Sequence, residues 1–296
     1  MLQHAAVDQP AIPGLALAAR SWTEMATLER RVNEAVESLR LSRPKRARSH
    51  SFLSHMQAQV DAWLRTDKPE YLDEVNLAPE RRVAIVQALH LFNKSVFAYR
   101  RFYRELKPWL QEIHTTEGRP ARVLELASGS GEFSLTLADL AQRDGLAVEV
   151  TGSDYFAEHV ATCNAKAVER ALPVTFIEAN AFDLSDIPVG TYDIIFIAQS
   201  SHHFSPGQNA VMIAQATKIA TLGFISIDGQ RSVLLFALPA IDLFIGGRDF
   251  THDSIISLRK FYTHSELELI ANIAVPNGII NVRPVNPGYS LLTVFS

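Results

Sequence analysis

The stretch Val123-Leu124-Glu125-Leu126-Ala127-Ser128-Gly129-Ser130-Gly131-Glu132-Phe133 reads as a strand, a glycine-rich turn and the start of a helix. Glycine lets a backbone turn sharply and lets a ligand approach with no Cβ in the way. Gly152-Ser153-Asp154 closes the next apolar run, about 20 residues further on, where a carboxylate can accept both hydroxyls of a ribose. The two signals together are far more specific than either alone.

Downstream of Pro120, short runs rich in Val and Ile alternate with helical stretches, the pattern of a parallel sheet with crossover helices. The strands are expected at 122–126, 148–151, 174–177, 192–198 and 223–227, and the helices at 131–142, 156–171, 207–221 and 264–273. The runs 279–283 and 289–295 flank Asn286-Pro287-Gly288 and read as a hairpin. The fold class is therefore α/β, a Rossmann-like, mostly parallel sheet with an antiparallel C-terminal hairpin and an N-terminal helical cap.

Upstream, apolar residues recur at helical spacing. Ser21 and Glu24 have the form of a capping box, ahead of Trp22, Met25, Leu28, Val32, Val36 and Leu39 on one face. A solvated turn is expected at 43–48 and a second helix over 52–64. A third starts near Pro79, and a fourth runs from about Asn93 to Ile113. The expected organisation is a helical cap or lid over residues 1–118 and a ligand-binding domain over 119–296, with a substrate insertion at about 230–260.

Composition sets the outer bounds. The chain has 296 residues, 47% hydrophobic and 20% charged, which is a globular composition. No apolar run reaches the roughly 20 residues of a membrane helix, so no membrane partner is expected. The first residues lack a basic start followed by an apolar core, so no signal peptide is expected. One cysteine, Cys163, fits a reducing, cytoplasmic setting. The net charge of −4 conceals a split: 18 Lys+Arg against 14 Asp+Glu over residues 1–120, and 10 against 18 over 121–296. A nucleic-acid partner is not expected from so acidic a chain, and the basic cluster 43–48 reads as a solvated helix end.

Glu125 argues about the ligand. A carboxylate at the strand end would repel the pyrophosphate that dinucleotide sites cradle at the helix N-terminus. It suits a cation, and S-adenosylmethionine carries both an ammonium and a sulfonium. From Arg122 onward the chain resembles the class I S-adenosylmethionine-dependent methyltransferases of the small-molecule type. Glu125-x-Ala127-x-Gly129-x-Gly131 is similar to the family's first motif, with Ala127 where glycine is commoner. The resemblance implies cofactor contacts from Glu125, Ala127, Ser128, Gly129, Gly131, Asp154, Tyr155, Asn180, Ala181, Phe182, Gln199 and Ser200. Asp154 would hold the ribose, the Asn180–Phe182 stretch would frame the adenine, and Gln199–Phe204 would border the transferred methyl. Asp193, ahead of a buried strand, reads as structural.

His202 and His203 are the candidate catalytic residues, with His202 favoured as a base and His203 serving the scaffold. Adjacent residues in an extended segment point to opposite sides, so the pair is not expected to share a metal ion, and no metal is expected. Substrate candidates are Tyr99, Tyr103, Arg231, Phe236 and His252, with Arg100, Arg101 and Arg104 available to a carboxylate.

The expected activity is methyl transfer to a small-molecule acceptor, most simply an oxygen, in secondary metabolism. A cyclase or lyase reaction of the cofactor alone, a macromolecular methyltransferase and a cofactor-sensing module are the alternatives. Exposed helix faces leave a homodimer open. Asp154→Ala is expected to weaken S-adenosylmethionine binding by about 2–4 kcal/mol, the worth of two charge-assisted hydrogen bonds, as titration calorimetry would measure.

Overall fold

The structure, a computed structural model, describes residues 25–47, 59–60, 63–74, 76–231 and 239–295, and for 43–47 and 239–245 the backbone only. The capping box at Ser21 and Glu24, most of the helix expected over 52–64, and Phe236 lie outside the described residues.

Among the described residues, the long helices ahead of the sheet are α1 (Met25–Ala47), α2 (Pro79–Ser95) and α3 (Ala98–Glu117). There follow β1 (Ala121–Leu126), α4 (Glu132–Arg143), β2 (Val148–Asp154), α5 (Ala157–Glu169), β3 (Val174–Glu178) and β4 (Ile194–Ala198). The chain continues with α6 (Pro206–Ile219), β5 (Gly223–Gly229), α7 (Pro239–Lys260), α8 (His264–Ala274), β6 (Ile279–Val285) and β7 (Tyr289–Phe295).

The seven strands form one sheet in the order β3-β2-β1-β4-β5-β7-β6. β1 to β5 are parallel, and β7 inserts antiparallel between β5 and β6. The order reverses between β1 and β4, so the loops that leave these two strands diverge to opposite faces and open a crevice at their C-terminal ends.

Both faces of the sheet are covered, which explains the unbroken apolar runs of the central strands. Alternation along β4 sends Ile195 and Ile197 to one side and Ile194 and Phe196 to the other. The first side meets α6, α8 and α1; the second meets α3, α4 and α5. The spacing of Leu28, Val32 and Val36 correctly gives a buried helical stripe, but α1 spends it on α6 and α8, within the sheet's own core. The part of the N-terminal region that faces the crevice is α2, which packs on α7 through Ile85, Ala88 and Phe250.

Two helix boundaries differ from the sequence reading. The helix expected over Asn93–Ile113 is interrupted at Phe97, whose φ of 56° reverses the chain between α2 and α3. α1 continues through Pro44 to Ala47, although a proline there removes one i→i−4 hydrogen bond. Asp193 is structural as expected. It is buried at the opposite end of the sheet from the crevice, bound by Arg119, Arg122 and Thr221. Among the described residues, no helix is long and apolar enough to cross a membrane.

α1 crosses α6 at Gly207, whose N–H donates to Asn33 Oδ1 at 2.8 Å. A Cβ at Gly207 would stand 2.2 Å from the Glu29 carbonyl oxygen. Gly207→Ala is therefore expected to destabilise the fold by about 1–3 kcal/mol, the usual cost of overpacking, read by urea denaturation.

Candidate active site

The loops at the C-terminal ends of β1 and β4 both contain a non-glycine residue in the left-handed region: Ala127 at φ 50° and Gln199 at φ 55°. This explains the preference for glycine at the Ala127 position, since L-residues there carry strain of about 1–2 kcal/mol. After Ala127 the turn runs through Gly129 and Gly131, also at positive φ. A Cβ on Gly129 would point into open space, whereas one on Gly131 would strike Cys163 and Phe176 at 2.8 Å. Gly131 is thus required by packing, and Gly129 leaves an uncovered stretch of backbone. Cys163 is part of that packing: it is buried, and its thiol, raised to about 11 by burial, points its S–H at the Gly129 carbonyl.

Asp154 holds this turn. Its Oδ2 accepts the Gly129 N–H at 2.9 Å, and its Oδ1 accepts the Phe156 N–H and faces His159 Nδ1 at 3.2 Å. A carboxylate offers about four acceptor positions, so one remains open, one fewer than the two ribose hydroxyls expected from the sequence would use. Tyr155 and Phe156, next in the chain, are 69% and 60% exposed; neither ring is used by the core. Asn180 caps its own turn by accepting the Phe182 N–H, with Ala181 buried and Phe182 against Phe204. Ser128 Oγ is buried in the glycine turn and has no hydrogen-bond partner. Such an orphan hydroxyl at the mouth of an open turn fits a ligand that brings its own polar groups.

Glu125 sits fully buried in β1, with Ser134 Oγ donating to its carboxyl. Burial raises it to about 8, so with nothing bound it carries a proton at neutral pH. The negative charge expected from the sequence is therefore latent, and a cationic ligand beside it would draw the proton off.

Gln199 leads from this crevice into a second cavity. Its side-chain amide pairs reciprocally with that of Asn93 on α2, both bonds at 2.9 Å, which ties the cap to the β4 loop. Ser200 Oγ, beside it, donates to the Ala127 carbonyl. The second cavity, of about 220 Å³, is walled by Ile85, Leu89 and Phe92 of α2, by Phe250 and Leu258 of α7, by Phe261, and by Tyr289 at the hairpin. Its polar groups include Glu70, Arg101, Gln199, His202, His203, Asp228 and Asp253, with Ser254 and Ser257.

The histidine pair departs from the sequence reading. Ser201–His203 is a turn of 3₁₀ helix, not an extended segment, and the two rings lie 4.3 Å apart on the same side. His202 Nδ1 faces both oxygens of Asp228 at 2.9 and 3.0 Å, and Asp228 also accepts the His202 N–H. His203 Nδ1 faces Asp73 at 3.0 Å. A carboxylate only accepts, so each Nδ1 carries the hydrogen and each Nε2 of a neutral ring presents a lone pair. Both Nε2 atoms turn to Glu70, at 3.7 and 3.9 Å.

Glu70 and Asp73 carry no sequence signal. They belong to a segment that acquires its place through α7: Asp253 accepts the Tyr71 and Leu72 N–H groups, Lys260 bonds Asp73, and Arg259 donates to the Leu64 carbonyl. Asp228, at the end of β5, is likewise legible only through its partner.

The substrate candidates divide. Tyr99 lies between the crevice and the cap, stacked on Phe133 and within 3.4 Å of Asn93. Tyr103 turns away and donates to Asp144. Arg231 is buried on Glu266 and the Phe261 carbonyl, with Arg40 on the same carboxylate, so it braces α8. His252 stacks on Tyr71 and bonds Asp253, outside the cavity lining. Arg101, by contrast, lines the cavity, and its Nη1 is buried with no hydrogen-bond partner.

Residues 123–222 match the family described as methyltransferase domain. Two curated relatives are demethylmenaquinone methyltransferases. That of Thermus thermophilus is 35% identical over 95 residues, 32% of this chain and 41% of the relative. That of Deinococcus radiodurans is 29% identical over 125 residues, 42% and 47% of the two. The chain thus spans less than half the length of either relative. Among solved structures, the plantazolicin methyltransferase BpumL in complex with SAH superposes with a TM-score of 0.55 at 13% identity, over 90% of this chain and 99% of that one. The citrinin polyketide synthase CMeT domain gives 0.50 at 16% identity, over 88% and 68%. These two likenesses concern the fold.

The Glu125 proton is measurable. The folded state holds it up to about pH 8, whereas a free glutamate loses it near 4.5. Its contribution to stability is complete below the lower value and drains away as pH rises through the higher one. In the ligand-free protein, Glu125→Gln is expected to flatten the fall of Tm between these pH values, followed by thermal denaturation across a pH series.

Proposed function

We propose that this chain, whose residues 123–222 match a methyltransferase domain, is a class I S-adenosylmethionine-dependent enzyme that binds that cofactor across β1, β2 and β4 and methylates a small-molecule acceptor, at oxygen. The observation that carries this reading is that the loop after β4 serves two unlike regions: Ser200 bonds the glycine turn at Ala127, and Gln199 lines the apolar cavity. The first region is a polar crevice with an uncovered glycine turn, the second an apolar cavity with a few polar groups. The first suits an adenosine-bearing cation and the second a compact organic acceptor.

In this reading Asp154 accepts from the ribose, and Tyr155 and Phe156 offer ring faces to the adenine. Asn180 to Phe182 border the base. Glu125 ionises as the cationic ligand arrives, and Ser128 Oγ gains a partner. Arg101 is the group suited to a carboxylate, whether the cofactor's own or one on the acceptor. The relatives named for demethylmenaquinone agree with a small organic acceptor. Secondary metabolism remains our reading of the setting.

The chemistry asks little beyond geometry. The acceptor oxygen attacks the methyl carbon in line with the sulfur; the O–C bond forms as the C–S bond breaks, and S-adenosylhomocysteine leaves. The apolar walls exclude water. The acceptor's proton leaves on the side of His202, whose ring is oriented by Asp228.

Mass spectrometry of products tests the proposal. S-adenosylhomocysteine is expected only when a hydroxylated aromatic acceptor is added. Methylthioadenosine formed from the cofactor alone would instead establish a cyclase or lyase. His202→Asn and Asp228→Asn are each expected to lower kcat by about 10²–10⁴-fold with the cofactor Kd unchanged.

A further inference from the structure

The polar corner of the acceptor cavity has more groups than a general base needs. Two imidazoles and a carboxylate converge there, with one donor atom from each within 4.8 Å of the other two. The separations from Glu70 to the two Nε2 atoms, 3.7 and 3.9 Å, exceed hydrogen-bond length. They approach the spacing of about 3.4 Å between neighbouring ligands on a tetrahedral ion with bonds of about 2.1 Å.

One oxygen of Glu70 is independently unsatisfied. The residue is 3% exposed, and its Oε1 is buried with no hydrogen-bond partner. Lys260 Nζ is the neighbouring cation, but it stands 3.5 Å from Glu70 and bonds Asp73 at 2.9 Å. Lys260 faces Glu70 and Asp73, and Arg101 is the other fixed cation of a cavity that Asp228 and Asp253 also line, so carboxylates outnumber fixed cations there. A buried carboxylate in such company calls for a further positive charge.

The outer contacts point the same way. Each histidine gives its Nδ1 hydrogen to a carboxylate, His202 to Asp228 and His203 to Asp73. That arrangement settles the tautomer, aims Nε2 and makes it more basic; it is the common setting of histidines that ligate metals. A 3₁₀ turn is what lets adjacent residues serve together, since it carries both rings to one side.

We propose that Glu70, His202 and His203 bind one divalent first-row transition ion, of the Zn²⁺ or Fe²⁺ type, in the wall of the acceptor cavity. Two neutral nitrogens and one carboxylate favour these ions over Mg²⁺ and Ca²⁺, which prefer all-oxygen sites. Three protein ligands leave a coordination position on the cavity side. There the ion would bind the acceptor's oxygen, increase its acidity and orient it; this role rests on the methyl-transfer reading, whereas the binding itself does not. An ion on His202 Nε2 occupies the lone pair that a base would use, so His202 then acts on the acceptor through the ion.

The test uses the full-length chain, stripped with a chelator and titrated with Co²⁺, then Zn²⁺, with Mg²⁺ as the oxygen-preferring control. One equivalent of Co²⁺ per chain is expected, with visible absorption bands that Zn²⁺ abolishes and Mg²⁺ does not. Glu70→Gln and His203→Gln should each remove the stoichiometric site, and Asp228→Asn should weaken it by roughly 10- to 100-fold. His114→Ala, on the exposed C-terminal part of α3, should leave it intact. Wild-type protein labelled with ¹⁵N-histidine provides a check independent of any variant's folding: two Nε2 resonances should shift on adding Zn²⁺. Absence of a saturable equivalent, or an equivalent that survives both Glu70→Gln and His203→Gln, would overturn the proposal. Cofactor binding and product formation, measured on the same samples, separate this failure from failure of the methyl-transfer reading.

Discussion

The reversal of strand order between β1 and β4 is the constraint on which the rest of this molecule depends. Parallel strands joined by right-handed crossovers send successive loops to one face until the order reverses; there neighbouring loops part. In this chain the parting loops are 127–131 and 199–203, and both begin with a non-glycine residue in the left-handed region. The strain at Ala127 and Gln199 persists because their surroundings hold it. Asp154 grips the first loop through Gly129, and Asn93 grips the second through Gln199.

α2 and α7 are built onto that crevice by unlike interactions. Apolar packing joins α2 to α7, which gives a wall without chemical specificity. Charge does the finer work. Asp253 and Lys260 of α7 hold the 65–74 segment so that Glu70 meets the two histidines. The mildly basic first third and the acidic remainder therefore meet through a handful of named pairs, among them Arg81 with Asp249 and Arg40 with Glu266. Net charge alone would not have singled out these contacts.

Much of the site was legible as a list of residues and little of it as an arrangement. The glycine turn, Asp154 and the Gln199–His203 stretch stand at one end of the sheet because strand ends are readable from apolar runs. The sequence offers Glu125 as a charge, yet burial raises its carboxyl to about 8 and favours the protonated form. Arg231 and Tyr103 were attractive as isolated polar residues near the right segments; the fold spends them on Glu266 and Asp144. An extended segment would send the two histidines to opposite sides, and a single 3₁₀ turn brings their rings together instead.

The sequence by itself determined the sheet, its crossovers and the loops that leave β1 and β4, because hydrophobic period and glycine positions act over a few residues. It did not determine which helix covers the crevice, or that Glu70, more than 130 residues before His203 in the chain, would complete the polar corner of the cavity. Those decisions belong to the tertiary structure. Ion pairs and buried carboxylates impose no local period, and they take effect only once packing has brought distant segments into a common low-dielectric space.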